Sequence, residues 1–178
     1  MCERRKPNLL WIFCDQLRWH ALSANGDPNV QTPNLDRLVA EGVSFDCAVT
    51  TSPICTPARG AAMTGQYCHT TDILYLGDLL PPSQKTIAHA FREAGYRTSY
   101  VGKWHLSSAQ NPFGHNEGAE YWVHPKMRGG FEDWFGFELS NHFWETRYSS
   151  GENMWPPKLL EGYQTDRLTD LSLEYLEN

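Results

Sequence analysis

Pro53-Ile54-Cys55-Thr56-Pro57-Ala58-Arg59-Gly60-Ala61-Ala62-Met63-Thr64-Gly65 is the stretch on which the reading of this chain turns. A Ser-Pro turn leads into Cys55, and Thr56 to Thr64 predicts a helix with Pro57 in its first turn, where a missing N–H is tolerated. Residue 55 then stands before a helix N-terminus, where unpaired backbone N–H groups favour an anion. Arg59 falls one turn on and lies beside it. The spacing C-x-P-x-R, followed after four residues by Thr-Gly, therefore places a thiol and a guanidinium together.

The flanking sequence predicts an α/β domain. Upstream, Asn8 to Cys14 is a mostly apolar run ended by Asp15-Gln16, as in a strand buried on both faces of a parallel sheet. Asp15 would sit at its carboxyl end, where open α/β sheets bind ligands. Thr32-Pro33 opens a helix, with Leu35, Leu38 and Val39 on one face and Gly42 as its C-terminal cap. Val43 to Thr50 reads as a strand. Downstream, Ser83 can cap a helix whose Ile87, Ala90, Phe91 and Ala94 recur at helical spacing, and Tyr96 to Val101 is the next strand. Strand, helix and strand in this rhythm predict βαβ units and a mostly parallel sheet flanked by helices.

Periodicity fails from Ser107 to about Tyr163, which predicts an active-site excursion with short strands or a segment that packs on further chain. The cluster Phe131, Trp134, Phe135, Phe137, Phe143 and Trp144 reads as packing rather than a substrate cage. Thr165 could cap a last helix carrying Leu168, Leu171 and Tyr175 on one side.

Composition narrows the classes. The 178 residues suffice for one domain, and a formal charge of -6 argues against nucleic acid as a partner. No run approaches the ~18 apolar residues of a membrane span, so no membrane partner is expected. Met1 to Lys6 is charged, but the apolar run after it is too short for a secretory segment, and the expectation is a cytoplasmic protein. Five cysteines without C-x-x-C spacing indicate neither a disulfide framework nor zinc. His69, His115, His124 and His142 lack ligand spacing and read as surface or core residues.

The C-x-P-x-R-x4-T-G stretch resembles the first signature of the sulfatases, in which the cysteine is oxidised to formylglycine. Gly95 to His105, a strand ending in Gly102-Lys103-Trp104-His105, resembles the second. Asp15-Gln16 resembles the family's N-terminal metal ligands, although many members carry a second Asp in place of Gln16. Thr32 to Leu38 resembles the helix between those ligands and the cysteine. The likeness runs from about Pro7 to His105.

The resemblance implies an alkaline-phosphatase-like sulfatase domain that hydrolyses a small-molecule sulfate ester. Its cofactors would be a divalent cation, Ca²⁺ (or Mg²⁺ or Mn²⁺), held by Asp15, Gln16 and residue 55, and formylglycine made from Cys55 by a formylglycine-generating enzyme. The hydrated aldehyde is a geminal diol: one hydroxyl attacks sulfur, and the other later loses a proton so that sulfate leaves. Arg59 would hold the diol or the sulfate, and Lys103 would neutralise sulfuryl oxygens. His105, two residues along extended chain, would share the side of Lys103 and carry a proton. Two other readings remain open: a phosphonate or phosphate ester hydrolase on the same scaffold, and a non-catalytic anion-binding domain. Residues 106–178 hold no Asp-Asn or Asp-His pair after a buried strand, which the family uses for its remaining metal ligands. The expectation is thus the N-terminal part of a longer enzyme, inactive alone.

Overall fold

The structure is a computed structural model; it describes residues 6–107, 121–151 and 156–177. The chain divides into two compact units, residues 1–49 and 50–178.

The first unit contains a 3-10 turn (Ser23–Asn25) and α1 (Pro33–Glu41). Thr32 occupies the N-cap position, but its hydroxyl donates to Asp36 Oδ1 (2.8 Å) instead of accepting from the helix. Ser23 Oγ donates to Asp36 Oδ2 (2.7 Å), so one carboxylate ties the turn to the helix. Those hydroxyls, Ser23 first, hold the Asp36 carboxyl below the usual carboxylate range. The strands expected over 8–14 and 43–50 are absent: both stretches are irregular and exposed, with Ile12 at 71% and Val49 at 91%. An apolar run becomes a strand only with neighbours to complete its hydrogen bonds, and no described residue pairs with either.

The second unit begins with α2 (Cys55–Thr64), which starts at the cysteine and ends on Gly65 in the left-handed conformation (φ 67). The short α3 (Cys68–Thr71) and α4 (Ile87–Glu93) follow. Thr86, not Ser83, caps α4: its side chain accepts from the backbone N–H of His89, while His89 Nδ1 accepts from Thr86 N at 3.2 Å. Ala88 is the helix's fully buried residue, whereas Ala90 and Ala94 are exposed.

The sheet runs in the order β1 (Ser99–Lys103), β2 (Asp133–Phe137), β3 (Arg147–Ser150), β4 (Lys158–Leu159). β1 and β2 are parallel, from Ser99↔Asp133 to Lys103↔Phe137. The other two pairings are antiparallel, so the described sheet is mixed. β1 begins later than the expected Tyr96, and its parallel partner lies in the stretch whose pattern is unreadable. The parallel register continues past the strands, since Trp104 N donates to Phe137 O at 2.7 Å.

Helix α5 (Gln164–Glu177) crosses β1 and β2: Leu168 lies over Gly102, and Tyr175 meets Phe135 with ring centroids 6.0 Å apart. The core gathers Met63, Ile73, Leu80, Trp104, Met127 and Trp134. Trp134 and Phe137 fulfil the packing role expected of the aromatic cluster, both 1% exposed, whereas Phe143 (50%) and Trp144 (69%) face outward.

Candidate active site

Cys55 is the first residue of α2, so its side chain stands where the helix's unpaired N–H groups and positive dipole end converge. Lys103 closes β1, and its ammonium Nζ lies 3.7 Å from Cys55 Sγ. In this structure residue 55 is the thiol, whose sulfur marks where an oxidised side chain would carry its oxygen atoms.

Arg59, one turn along α2 and 5% exposed, donates from Nη1 to the carbonyl of Lys103 at 2.5 Å. The Tyr100 hydroxyl donates to the same carbonyl and lies 3.4 Å from Arg59 Nη1. The two stretches singled out in the sequence are thus joined twice, once through the ammonium and once through the backbone carbonyl. Tyr100 is itself held by stacking on Trp134 (5.1 Å, 15°) and by the edge of Trp104 (5.1 Å). Cys55, Arg59 and Lys103 therefore come together.

His105 follows Lys103 by two residues, but the extended chain does not carry it there. Its φ is 55, a left-handed conformation that costs a non-glycine residue about 1–3 kcal/mol. The alternation argument that gave it the face of Lys103 therefore does not apply. Glu138 grips this bend. Its carbonyl accepts from His105 N (2.8 Å) and its carboxylate Oε1 from Ser107 N (2.9 Å). Glu138 is 2% exposed. Neither Tyr100 nor Glu138 was legible beforehand: Tyr100 acts where Arg59 of α2 meets the Lys103 carbonyl, Glu138 acts across the β1–β2 pairing, and neither carries a local motif. Its position just after β1's parallel partner would have drawn attention to Glu138 had β2 been recognised. His124 lies below its ordinary range, first because burial disfavours its charge and then because Lys126 and Arg128 are close. His115 lies outside the described residues.

Asp15 and Gln16 belong to the other unit. They form a turn in which Gln16 takes a φ of 58. Their donors are hard oxygens, as Ca²⁺ requires, but among the described residues no three His, Cys, Asp or Glu gather as a metal site. Asp15 and Gln16 carry three side-chain oxygens between them, short of the about 6–8 that Ca²⁺ takes, so these two residues alone do not complete a cation site. Among the described residues, the cysteines at 14, 47, 55 and 68 form no disulfide. Among the described residues no helix is long and apolar enough to cross a membrane.

A family model described as Sulfatase matches residues 7–178. The ulvan-active sulfatase of Formosa agariphila is 41% identical over 152 residues, which are 85% of this chain and 28% of that protein. A crystal structure from Bacteroides fragilis, of a candidate sulfatase, superposes with a TM-score of 0.81 over 92% of this chain and 38% of that one, at 24% identity. Another, solved with its substrate D-glucosamine-2-N,6-O-disulfate, has a TM-score of 0.70 at 26% identity and covers 89% of this chain and 28% of that one. The fold is therefore the α/β arrangement of the alkaline-phosphatase-like superfamily, represented in part: the chain spans 28% of the curated relative's length.

Proposed function

We propose, from the premise that this chain belongs to the sulfatase family, that it carries the nucleophile of a sulfuric ester hydrolase acting on sulfated saccharides. The observation that carries this reading is the Lys103 ammonium 3.7 Å from Cys55 Sγ at the N-terminus of α2. Anion-favouring N–H groups, a cation and a potential nucleophile converge there. The Formosa relative is named for activity on ulvan, and one structural neighbour was solved with a sulfated glucosamine. Both support a saccharide as the alcohol part of the ester.

A formylglycine-generating enzyme would convert Cys55, and the hydrated aldehyde would supply the attacking hydroxyl. Lys103 and the amides at the start of α2 would hold the sulfuryl oxygens, whose charge is what such a site must stabilise. Arg59 fixes the Lys103 backbone, and its guanidinium favours an anionic oxygen at residue 55. His105 would give a proton to the departing sugar oxygen. Asp15 and Gln16 would contribute two oxygens to a divalent cation, whose chemistry when bound is neutralisation of sulfate charge.

The test is to co-express the full-length protein with a formylglycine-generating enzyme and to assay an aryl sulfate, glucosamine 6-sulfate and an aryl phosphonate. The Cys55 peptide should show aldehyde by mass spectrometry. Sulfate turnover should fall at least about 100-fold in Cys55→Ala and Lys103→Ala. Preference for the phosphonate would move the enzyme to the phosphonate ester hydrolases, and an unmodified thiol with full sulfate turnover would remove formylglycine from the mechanism. An aldehyde-bearing protein that hydrolyses none of the three would favour the anion-binding reading.

A further inference from the structure

The loop after β2 is tied down but presents aromatic and charged groups to solvent. Thr146 is fully buried; its hydroxyl donates to His142 O (2.8 Å) and accepts from Gln164 Nε2 (2.5 Å). Leu160 N donates to Thr146 O and Gln164 N to Phe143 O, both at 2.7 Å. A backbone held at so many points does not collapse to hide its side chains. Yet Trp144 is 69% exposed, with its ring 5.2 Å from that of Tyr163, itself 39% exposed. Beside them Tyr121, His142, Glu145, Arg147 and Leu159 line a cleft of about 310 Å³. Among the described residues, no ion pair engages the side chains of His142, Glu145 or Arg147.

The cleft's place in the sheet gives it meaning. β1 and β2 are parallel and in register from Ser99↔Asp133 to Lys103↔Phe137, so their carboxyl ends share one end of the sheet. Lys103 and its neighbour Cys55 are at that end. The loop leaves β2 there through Glu138, whose carbonyl accepts from His105 N. It therefore begins at the same end of the sheet as Lys103 and Cys55.

We infer that the His142–Glu145–Arg147 cleft, together with Trp144, which precedes Glu145 in the chain, and the Tyr163 ring beside that indole, is a subsite for a neighbouring anionic sugar of a sulfated oligosaccharide. This rests on the sulfatase reading above. Each part of the cleft matches a part of such a ligand. Arg147 suits a second sulfate or a uronate, which it can grip bidentately. Glu145 can accept from ring hydroxyls. The exposed indole offers a flat apolar face for the C–H side of a pyranose. An aryl sulfate has no second sugar to place in such a subsite.

The experiment uses the full-length protein with Cys55→Ser, which cannot turn over, titrated with sulfated tetrasaccharides derived from ulvan and from heparin. Trp144→Ala and Arg147→Ala should each weaken binding of at least one by about tenfold. Arg147→Lys, which keeps charge but not the fork, should fall between. In the converted enzyme the same variants should lose at least about tenfold more kcat/KM on the tetrasaccharide than on an aryl sulfate. Circular dichroism and melting temperature of each variant report any folding loss separately. Oxidative footprinting should find Trp144 reactive in the free protein and protected by the tetrasaccharide. Equal affinity in parent and variants, no binding of either tetrasaccharide, or a Trp144 already shielded in the free protein would overturn the subsite. If the parent hydrolyses no aryl sulfate while Arg147→Ala still weakens tetrasaccharide binding, the sulfatase reading fails and the subsite stands.

Discussion

Arg59 reaches the Lys103 carbonyl from a nearly buried position, so its guanidinium serves the backbone as well as the anion site. Lysine in its place keeps one charge but loses the planar fork and the reach. Arg59→Lys should cut kcat/KM on an aryl sulfate by about 100-fold and cost about 1–3 kcal/mol of stability, because the Lys103 carbonyl loses a charged donor and keeps the Tyr100 hydroxyl. Steady-state kinetics and denaturant titration check the two parts separately. The next residue sets the spacing of the same helix. A methyl group on Gly60 would come within 2.9 Å of Ile73 Cδ1, and Ile73 is fully buried. Gly60→Ala should destabilise by about 1–3 kcal/mol, and Ile73→Val in the same chain should recover part of it. A Gly60→Ala melting temperature equal to the parent's would show that Ile73 has room to move.

At the scale of elements, β2 is anchored to its surroundings through Asp133. Arg97 donates to its carboxylate at 2.5 and 2.8 Å, and Tyr175 of α5 at 2.8 Å. The Arg97 hydrogen bonds, first, and the Tyr175 hydroxyl hold the Asp133 carboxyl below the usual range, against the opposing effect of burial. An acid depressed in the folded state adds stability above its unfolded value of about 3.9 and loses it as pH falls through the lower folded value. Asp133→Asn should therefore flatten the fall of stability below about pH 4. At pH 7 it should cost no more than about 1 kcal/mol, because Arg97 is 74% exposed. Urea titrations from pH 2.5 to 7 test this.

β2 also shows what the sequence could not disclose. α1, α2 and α5 were legible because proline, glycine and helical spacing mark them locally. The Cys55–Arg59 pair came with α2, and Lys103 with a recognisable strand end. Asp133-Trp134-Phe135-Gly136-Phe137 gives no clean alternation: Trp134, Gly136 and Phe137 are all buried. Its strand character comes from pairing with β1, a partner more than thirty residues away. The runs at 8–14 and 43–50 err the other way, since apolar composition alone promised strands that nothing described completes. The extended backbone expected at His105 was not met for a local reason, a left-handed conformation that no neighbouring residue signals.

Over the whole chain, apolar burial is unevenly shared. No described residue of 6–49 is buried, while Leu9, Leu10, Ile12, Val43, Phe45 and Val49 are each at least 63% exposed. Stability should follow that division. Amides of 6–49 should exchange with solvent well before those of α2, β1 and β2, as hydrogen-exchange mass spectrometry of residues 1–178 would show. Such surface also binds apolar dyes and promotes association. Replacing Leu9, Ile12, Val43 and Val49 by serine should lower dye fluorescence and raise solubility without shifting the main melting transition. An unchanged dye signal would place the sticky surface elsewhere. The link from Arg59 to the Lys103 carbonyl has its own consequence for anyone comparing relatives by statistics. One partner is a side chain and the other a peptide oxygen that every amino acid supplies, so no substitution at 103 need answer a change at 59. Correlated-substitution analysis would be blind to this contact, however tightly it couples the two segments. An alanine scan would register it wholly at Arg59, leaving Lys103 to report only its ammonium.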